Sequence, residues 1–220
     1  MKSFINSSIG RKIAMSLSAI FLMIFLIQHF AINITSVFSP KLFNSLSHFM
    51  GKNPVVQFIA QPILIFGVIF HFLMGIFLEV NNRNATVSQY EKNMPKYNST
   101  WMSRNMILSG LVILAFFILH FYDFWLPEME YKYIKSLPED PNRYYHELTH
   151  KFENIYRVIF YCISFVLLSL HLLHGFSSSL KSLGADKNYL NSIKTVGYIY
   201  SIIVPFGFCF IAIFHYINSH

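Results

Sequence analysis

The chain has 220 residues, of which 54% are hydrophobic and only 12% charged. A soluble domain carries about 25% charged residues, so a soluble globule of this length would lack the charges to cover its surface. The net charge of +7 is spread over short clusters between long apolar runs. Because these clusters form no basic stripe with interleaved aromatics, we exclude a nucleic-acid-binding domain. The composition indicates an integral membrane protein, and its ten histidines are unusual in so apolar a chain.

Five apolar runs are long enough to cross a bilayer, which requires about 20 residues in a helix. We therefore expect one all-α membrane domain over residues 1–220, a bundle of five transmembrane helices with a polar outer loop at residues 127–154. The sequence contains no nucleotide-binding or nucleophile-elbow fingerprint, so nothing in it indicates a fused soluble enzyme. The expected spans are residues 13–35, 55–80, 102–126, 155–176 and 195–217.

The basic residues predict the orientation of these spans. With the N-terminus inside, ten of the 17 Lys and Arg residues lie on the inner side and seven on the outer side. Seven of the ten acidic residues lie outside. The positive-inside rule therefore favours a cytoplasmic N-terminus and an outer C-terminus. We expect the first span to be retained, because its apolar run is longer than that of a signal peptide.

Four spans each carry one histidine deep in the apolar run, where an ionisable residue usually marks function. His29 and His120 lie in spans one and three, about 7 and 9 Å to the outer side of the midplane at 1.5 Å per residue. His71 and His171 lie in spans two and four, about 5–8 Å to the inner side by the same rise. We therefore expect His29 to pair with His120 and His71 to pair with His171, at two levels of the membrane.

Two imidazoles from different helices at one level are the ligands that haem iron needs on its two faces. The sequence therefore predicts a bundle enclosing two haems b, one above the other, with the four histidines as axial ligands. Some glycines lie four residues from a histidine of the inner pair, where a missing side chain lets the helix approach a flat macrocycle. These glycines are Gly67, Gly75 and Gly175.

Haem propionates need cations or hydrogen-bond donors near a membrane surface. His174 lies about one turn closer to the inner surface than His171, so we expect it to assist a propionate rather than to ligate iron. The other candidates for the propionates of the inner haem are Arg83, Trp101, Arg104 and Lys181.

Several short stretches, taken in their order and spacing, resemble those of a known family. They are FLIQHF at 25–30, LFNSLSHFM at 42–50, His71 with Gly75, residues 101–110, LHLLHG at 170–175 and SLG at 182–184. The family is the di-haem cytochrome b membrane anchor of bacterial succinate dehydrogenase and fumarate reductase (complex II). The resemblance runs from about residue 10 to residue 184, with five spans in both.

The resemblance implies that the four intramembrane histidines are the axial ligands of the two haems. It also implies a flavoprotein and an iron–sulfur subunit docked on the cytoplasmic face of a bacterial inner membrane. Electrons would then pass through both haems between the iron–sulfur subunit and a membrane quinone of the menaquinone type, as part of the respiratory chain and the tricarboxylic acid cycle. The dicarboxylate chemistry would belong to a partner subunit. The resemblance leaves open whether the whole complex forms a higher oligomer.

Two positions depart from the family pattern. Some relatives carry a glutamate after span one, at an outer quinone site, but this chain has no acidic residue between His29 and His71. Ser47 and His48 are the nearest polar candidates for a quinone site there. Some relatives also carry a glutamate two residues before the ligand of span four, where this chain has Ser169. This difference puts a transmembrane proton path in doubt.

Two other interpretations stay open. A di-haem b subunit of a formate dehydrogenase or hydrogenase would usually place its ligands on fewer helices, with pairs of histidines in one span. A haem-free, proton-coupled transporter would use the histidines as proton relays, and such proteins often have inverted repeats and broken helices. Pro62 and Pro205 are the only prolines inside the expected spans, which is thin support for a transporter.

Overall fold

The computed structural model describes residues 7–85, 106–184 and 187–220, and the structural statements below refer to these ranges. The described residues are largely helical and form no strand. The α-helices are α1 (Ser8–Phe38), α2 (Pro40–Lys52), α3 (Gln61–Ala85), α4 (Met106–His120), α5 (Leu126–Met129), α6 (Arg143–Phe152), α7 (Ile155–Ser182) and α8 (Lys187–Asn218). The described π-helical turns are Val56–Ala60, Phe121–Trp125 and Glu130–Ile134.

Five helical stretches are long and apolar enough to cross a membrane, which confirms the predicted all-helical, multi-pass architecture. Large apolar side chains on these stretches point away from the bundle; Phe66 is 68% exposed and Ile118 is 67% exposed. Such an apolar exterior suits hydrocarbon, where the backbone polar groups are satisfied within each helix. The stretches are Ser8–Phe38, Val56–Asn82, Met106–Ile134, Ile155–Ser182 and Ile193–Asn218.

The third span is longer than the sequence predicts. Helical structure continues through Pro127 to Ile134, where we expected an outer loop from residue 127. Proline has no N–H and interrupts an α-helical ladder. The π-helical turn Phe121–Trp125 lies directly before Pro127, and its wider hydrogen-bond spacing lets the chain enter α5 without a break. The rest of the expected loop contains α6, whose buried residues are Arg143, Leu148 and Phe152.

One serine produces the sharp reversal after the first span. The Ser39 N–H donates to the carbonyl of Thr35 and so ends α1, while its hydroxyl accepts from the backbone N–H of Leu42 and so begins α2. Pro40 occupies the first turn of α2, where a missing N–H costs nothing. α2 can therefore lie against α6 at one end of the bundle. We call this end the outer end, following the predicted orientation.

The best-packed part of the molecule lies toward the outer end. α7 and α8 form the most extensive helix pair, and α1 packs against both. Phe43 of α2 and Phe152 of α6 join Tyr161, Phe165 and Phe208 in one buried apolar cluster. α6 is thus fixed to the bundle by buried area as well as by its polar contacts, so the outer end is a rigid cap over spans one, three, four and five.

Candidate functional site

The structure brings the four intramembrane histidines together in two pairs. The ring centroids of His29 and His120 are 5.8 Å apart, and their planes are nearly perpendicular. The ring centroids of His71 and His171 are 6.4 Å apart. Two imidazoles that ligate one metal ion from opposite sides, at about 2 Å from metal to nitrogen, have centroids about 6 Å apart. Both pairs have this separation, and each joins two helices that are distant in sequence.

The two pairs lie at different depths, as two helices show independently. On α1, Ser18 contacts His71 of the inner pair, and His29 of the outer pair follows eleven residues later. On α4, Ser109 contacts His171, and His120 follows eleven residues later. Eleven residues of helix rise about 16 Å, which is about half the thickness of a bilayer's hydrocarbon core.

Hydrogen bonds determine which nitrogen carries the proton on His71. The Ser18 hydroxyl donates to the carbonyl oxygen of Met15 at 2.8 Å, and its single hydrogen is thereby used. Ser18 Oγ lies 3.0 Å from His71 Nδ1, so it accepts the Nδ1–H of His71. The other ring nitrogen, Nε2, is left with its lone pair, which is the form that binds a metal ion.

The same arrangement recurs on the facing imidazole. The Ser109 hydroxyl donates to the carbonyl of Met106 at 2.8 Å and lies 3.2 Å from Nδ1 of His171. It therefore accepts the Nδ1–H, and the Nε2 lone pair of His171 is free as well. Each imidazole of the inner pair is oriented by a serine from a third or fourth helix, so α1, α3, α4 and α7 all contribute to this level.

Glycines leave flexible side chains beside the inner pair. A Cβ added at Gly75 would lie 3.6 Å from the terminal methyl of Met15, and one at Gly175 would lie 3.7 Å from that of Met106. Both glycines come four residues after a histidine of the pair, on the same helix face. Methionine is an unbranched, adaptable side chain. One turn from each histidine of the inner pair, a glycine thus faces a flexible side chain that can move aside.

Gly67 has a different role from the one the sequence indicates. A Cβ there would lie 2.8 Å from the ring of Phe21, so this glycine allows α1 and α3 to pack closely. Gly110, which the spacing argument did not include, faces the inner pair; a Cβ there would lie 3.9 Å from Cε1 of His171.

Aromatic rings rather than hydroxyl groups surround the outer pair. His29 packs on Phe208 at 5.6 Å, and His120 stacks on Phe116 at 5.5 Å between ring centroids. The Asn33 amide lies 3.5 Å from Nδ1 of His29, at the limit of hydrogen bonding. Nδ1 of His120 is buried and has no hydrogen-bond partner within the described residues. The imidazoles of the outer pair therefore have fewer hydrogen bonds than those of the inner pair.

The predicted propionate partners are described only in part. His174 is half-buried on α7, and the ring that faces His71 is that of His171. Lys181 is exposed toward the inner end of the same helix. Arg83 lies in α3, but its side chain, like Trp101 and Arg104 as a whole, falls outside the described residues.

The predicted quinone-site residues lie on α2 at the outer end. His48 Nε2 is 3.1 Å from the carbonyl oxygen of Asp140, and its ring packs on Tyr144 at 4.8 Å. His48 also lines a cavity of about 500 Å³ between α2 and the segment before α6. Ser47 is half-buried beside it. Neither residue has a described ring contact with the outer histidine pair.

His215 has a partner that the sequence did not indicate. It is 2% exposed, and its Nε2 lies 2.9 Å from Oγ of Ser36, whose hydroxyl donates to the carbonyl of Asn33. His215 therefore donates to Ser36 and links α8 to α1. The Ser169 hydroxyl likewise donates to the carbonyl of Ser201 and links α7 to α8.

Sequence reasoning missed both the serines and a buried carboxylate. Serine is common in membrane helices, and nothing in the spacing of Ser18 or Ser109 signals a contact with a distant histidine. Asp123 did carry a signal, since it is a charge in a span only three residues after His120. The charge count places Asp123 among the seven outer acidic residues, whereas the structure buries it to 1% exposure.

Comparisons with known proteins gave no relative from which a function could be transferred. No protein-family model matches the chain, and searches of curated proteins and of solved structures found no match.

Proposed function

We propose that this chain is a two-haem membrane anchor of a succinate:quinone oxidoreductase, which conducts electrons between a soluble iron–sulfur partner and a membrane quinone. The observation that carries the proposal is the arrangement of four imidazoles from four helices in two pairs, each at a separation suited to ligating one metal ion. The pairs are about half a bilayer apart in depth, so they span the distance that electrons have to cross.

The donor set suits haem better than a bare metal ion. No group of three or more His, Cys, Asp or Glu side chains gathers as a metal site within the described residues, so each pair offers two protein ligands. Protein zinc sites use three or four such ligands. Haem iron needs only two from the protein, because the porphyrin supplies the other four. The apolar surroundings and the glycines near the inner pair also suit a flat, apolar macrocycle.

The chain's own residues would bind and orient this group. Ser18 and Ser109 accept the Nδ1–H of His71 and His171, which leaves both Nε2 lone pairs free to ligate iron. At the outer level, Phe116 stacks on His120 and Phe208 packs against His29 at a tilt, and both contacts restrict the ring planes. Haem bound in this way supplies a one-electron carrier at each level, and the surrounding side chains exclude water from it.

The identity of the partners rests on the resemblance and on charge. Basic residues outnumber acidic ones in the predicted inner loops, which suits docking of an iron–sulfur subunit and a flavoprotein there. Succinate or fumarate would react on the flavoprotein, and this chain would handle electrons and the quinone. A bacterial inner membrane with the N-terminus in the cytoplasm is the corresponding location.

Haem content tests the proposal directly. The full chain, expressed with its neighbouring genes and purified in detergent, is converted to the pyridine haemochrome and its haem-to-protein ratio is measured. We expect two b-type haems per chain and a low-spin spectrum typical of two imidazole ligands. A folded, haem-free chain, or a stable one-haem chain, would overturn the proposal. Co-purification of a flavoprotein and an iron–sulfur subunit tests the assignment to complex II.

A further inference from the structure

A buried carboxylate at the outer end of α4 has one oxygen without a hydrogen-bond partner. Asp123 lies in the π-helical turn Phe121–Trp125 and is 1% exposed. Its Oδ2 accepts from the Tyr161 hydroxyl at 2.9 Å and from Nε of Arg157 at 3.0 Å. Its Oδ1 is buried and accepts no hydrogen bond within the described residues, and the Lys151 ammonium is 3.8 Å from it. An unfilled acceptor on a buried carboxylate is costly unless something donates to it.

A cavity opens beside this carboxylate. Its volume is about 530 Å³, and its walls are Asp123 and Pro127 on one side and a face of α6 on the other. This volume is within the range of small-molecule sites in proteins. The rest of the lining comprises donors or cations together with two further carboxylates: His146, Glu147, Thr149, His150 and Lys151 of α6, and Glu153 just after it. His146, His150 and Lys151 are the groups that can donate to a ligand.

Tyr161 connects this cavity to the outer histidine pair. Its hydroxyl donates to Asp123, and its ring centroid is 6.5 Å from that of His120. A molecule that donates to Asp123 Oδ1 would therefore be separated from the outer pair by little more than one side chain. The cavity beside His48 has no described contact of this kind, and Nε2 of His48 is already engaged with the carbonyl of Asp140.

The π-helical turn explains how the carboxylate comes to face inward. A π turn inserts an extra residue and rotates the following side chains, and such turns are frequent at functional sites. The neighbours Tyr122 and Trp125 are 61% and 38% exposed, whereas Asp123 between them is buried. The turn thus places a carboxylate, rather than an aromatic ring, against Tyr161 of α7.

We propose that this cavity binds the headgroup of a hydroquinone, with Asp123 Oδ1 accepting a ligand hydroxyl and Lys151 contributing positive charge beside it. The proposal rests on the quinone-reactive function above and moves the site from Ser47 and His48 to Asp123. A hydroquinone supplies the donor that Oδ1 lacks, and the cavity volume of about 530 Å³ can hold its headgroup. The membrane is also the source of such a ligand.

Binding of menadiol, the reduced form of 2-methyl-1,4-naphthoquinone, tests the proposal without electron transfer. The full chain in nanodiscs is reduced with dithionite under argon and titrated with menadiol by calorimetry, and empty nanodiscs provide the partition background. We expect Asp123→Asn to weaken binding about tenfold or more, because a charge-assisted acceptor is lost. Glu139→Gln, which changes an exposed acid of the same face outside the cavity, should bind as the wild type does.

Further variants keep the proposal testable if Asp123→Asn fails to fold. Lys151→Ala and His150→Ala change the cavity wall from α6 and should also weaken menadiol binding. Unchanged affinity in all the folded cavity variants, or a loss in His48→Ala instead, overturns the proposal. Haem content is measured on the same samples. If the chain holds two haems and its menadiol affinity does not depend on Asp123, only the proposed site is refuted. If the chain holds no haem but binds menadiol through Asp123, the site is supported and the proposed function is refuted.

Discussion

The hydroxyl of Ser109 on α4 lies 3.2 Å from Nδ1 of His171 on α7 and donates its own hydrogen to the carbonyl of Met106. Because the serine can only accept from the imidazole, this contact selects one tautomer and one ring orientation for His171. Ser18 makes the equivalent contact with His71. Two serines thus set the tautomer and the orientation of both imidazoles of the inner pair, which would suit them to ligate the proposed haem.

Ser109→Ala should weaken haem binding at the inner level by about 10- to 100-fold, as is usual when the hydrogen bond behind a ligating histidine is removed. Ser109→Thr keeps the hydroxyl and should restore binding. The measurement is the rate at which haem transfers from the purified chain to apomyoglobin, with half of the haem expected to leave fast. Ser178→Ala, a change at an exposed serine of α7, is the control. Equal rates for Ser109→Ala and this control would contradict the prediction.

Replacing single histidines should remove single haems. We expect His120→Ala to leave only the inner haem and His71→Ala to leave only the outer one, so that each variant retains about half of the haem absorbance. His174→Ala should retain both haems, since His171 is the residue whose ring faces His71. The haem-to-protein ratio of each purified variant checks this. Loss of one haem in His174→Ala, with both retained in a His171→Ala variant, would reverse the assignment on α7.

Arg143 should be important for the stability of the outer end. Its guanidinium is 7% exposed, donates to the Glu128 carboxylate, and lies 4.0 Å from the ring centroid of Tyr131. Arg143→Met removes this partner and the contact with Tyr131, although Lys132 and Tyr144 still pair with Glu128. The loss of a largely buried, charge-assisted hydrogen bond should cost about 1.5–3 kcal/mol of unfolding free energy. Lys135→Met, which breaks an exposed ion pair with Glu130, should cost less than about 1 kcal/mol.

Unfolding of these two variants in mixed micelles, followed by circular dichroism, measures the difference. Similar losses of stability in Arg143→Met and Lys135→Met would contradict the view that the contacts of Arg143 with Glu128 and Tyr131 hold α6 in place.

Glu147 should make the outer end less stable as the pH rises. Burial raises the pKa of its carboxyl above the usual value, against the opposing effect of Arg143. A raised folded-state pKa means that the protonated form suits the fold, so its stabilising contribution is lost as the pH rises from the unfolded-state pKa, about 4.3, through the raised folded value. The midpoint temperature of thermal unfolding of the wild type should therefore fall across this pH window relative to that of Glu147→Gln. Parallel pH curves for the two proteins would contradict the prediction.

The helical geometry of single spans could be predicted because it depends on local properties. Hydrophobic length determines where a span can lie, and a rise of 1.5 Å per residue converts position into depth. The sequence alone therefore places His29 and His120 at one level, and the structure brings their rings into contact. The end of the third span was missed because a proline such as Pro127 usually ends a helix, and nothing local announced the π turn that lets it continue.

The sequence by itself determined that this is a five-span helical membrane protein with four histidines at two depths. Only the tertiary structure decided which side chains meet at each depth: Ser18 behind His71, Ser109 behind His171, and Tyr161 between His120 and Asp123. The physical reason is rotation about the helix axis. In a span that is apolar on nearly every side, the amphipathic pattern that orients a soluble helix is weak, so packing against neighbouring helices sets the rotation.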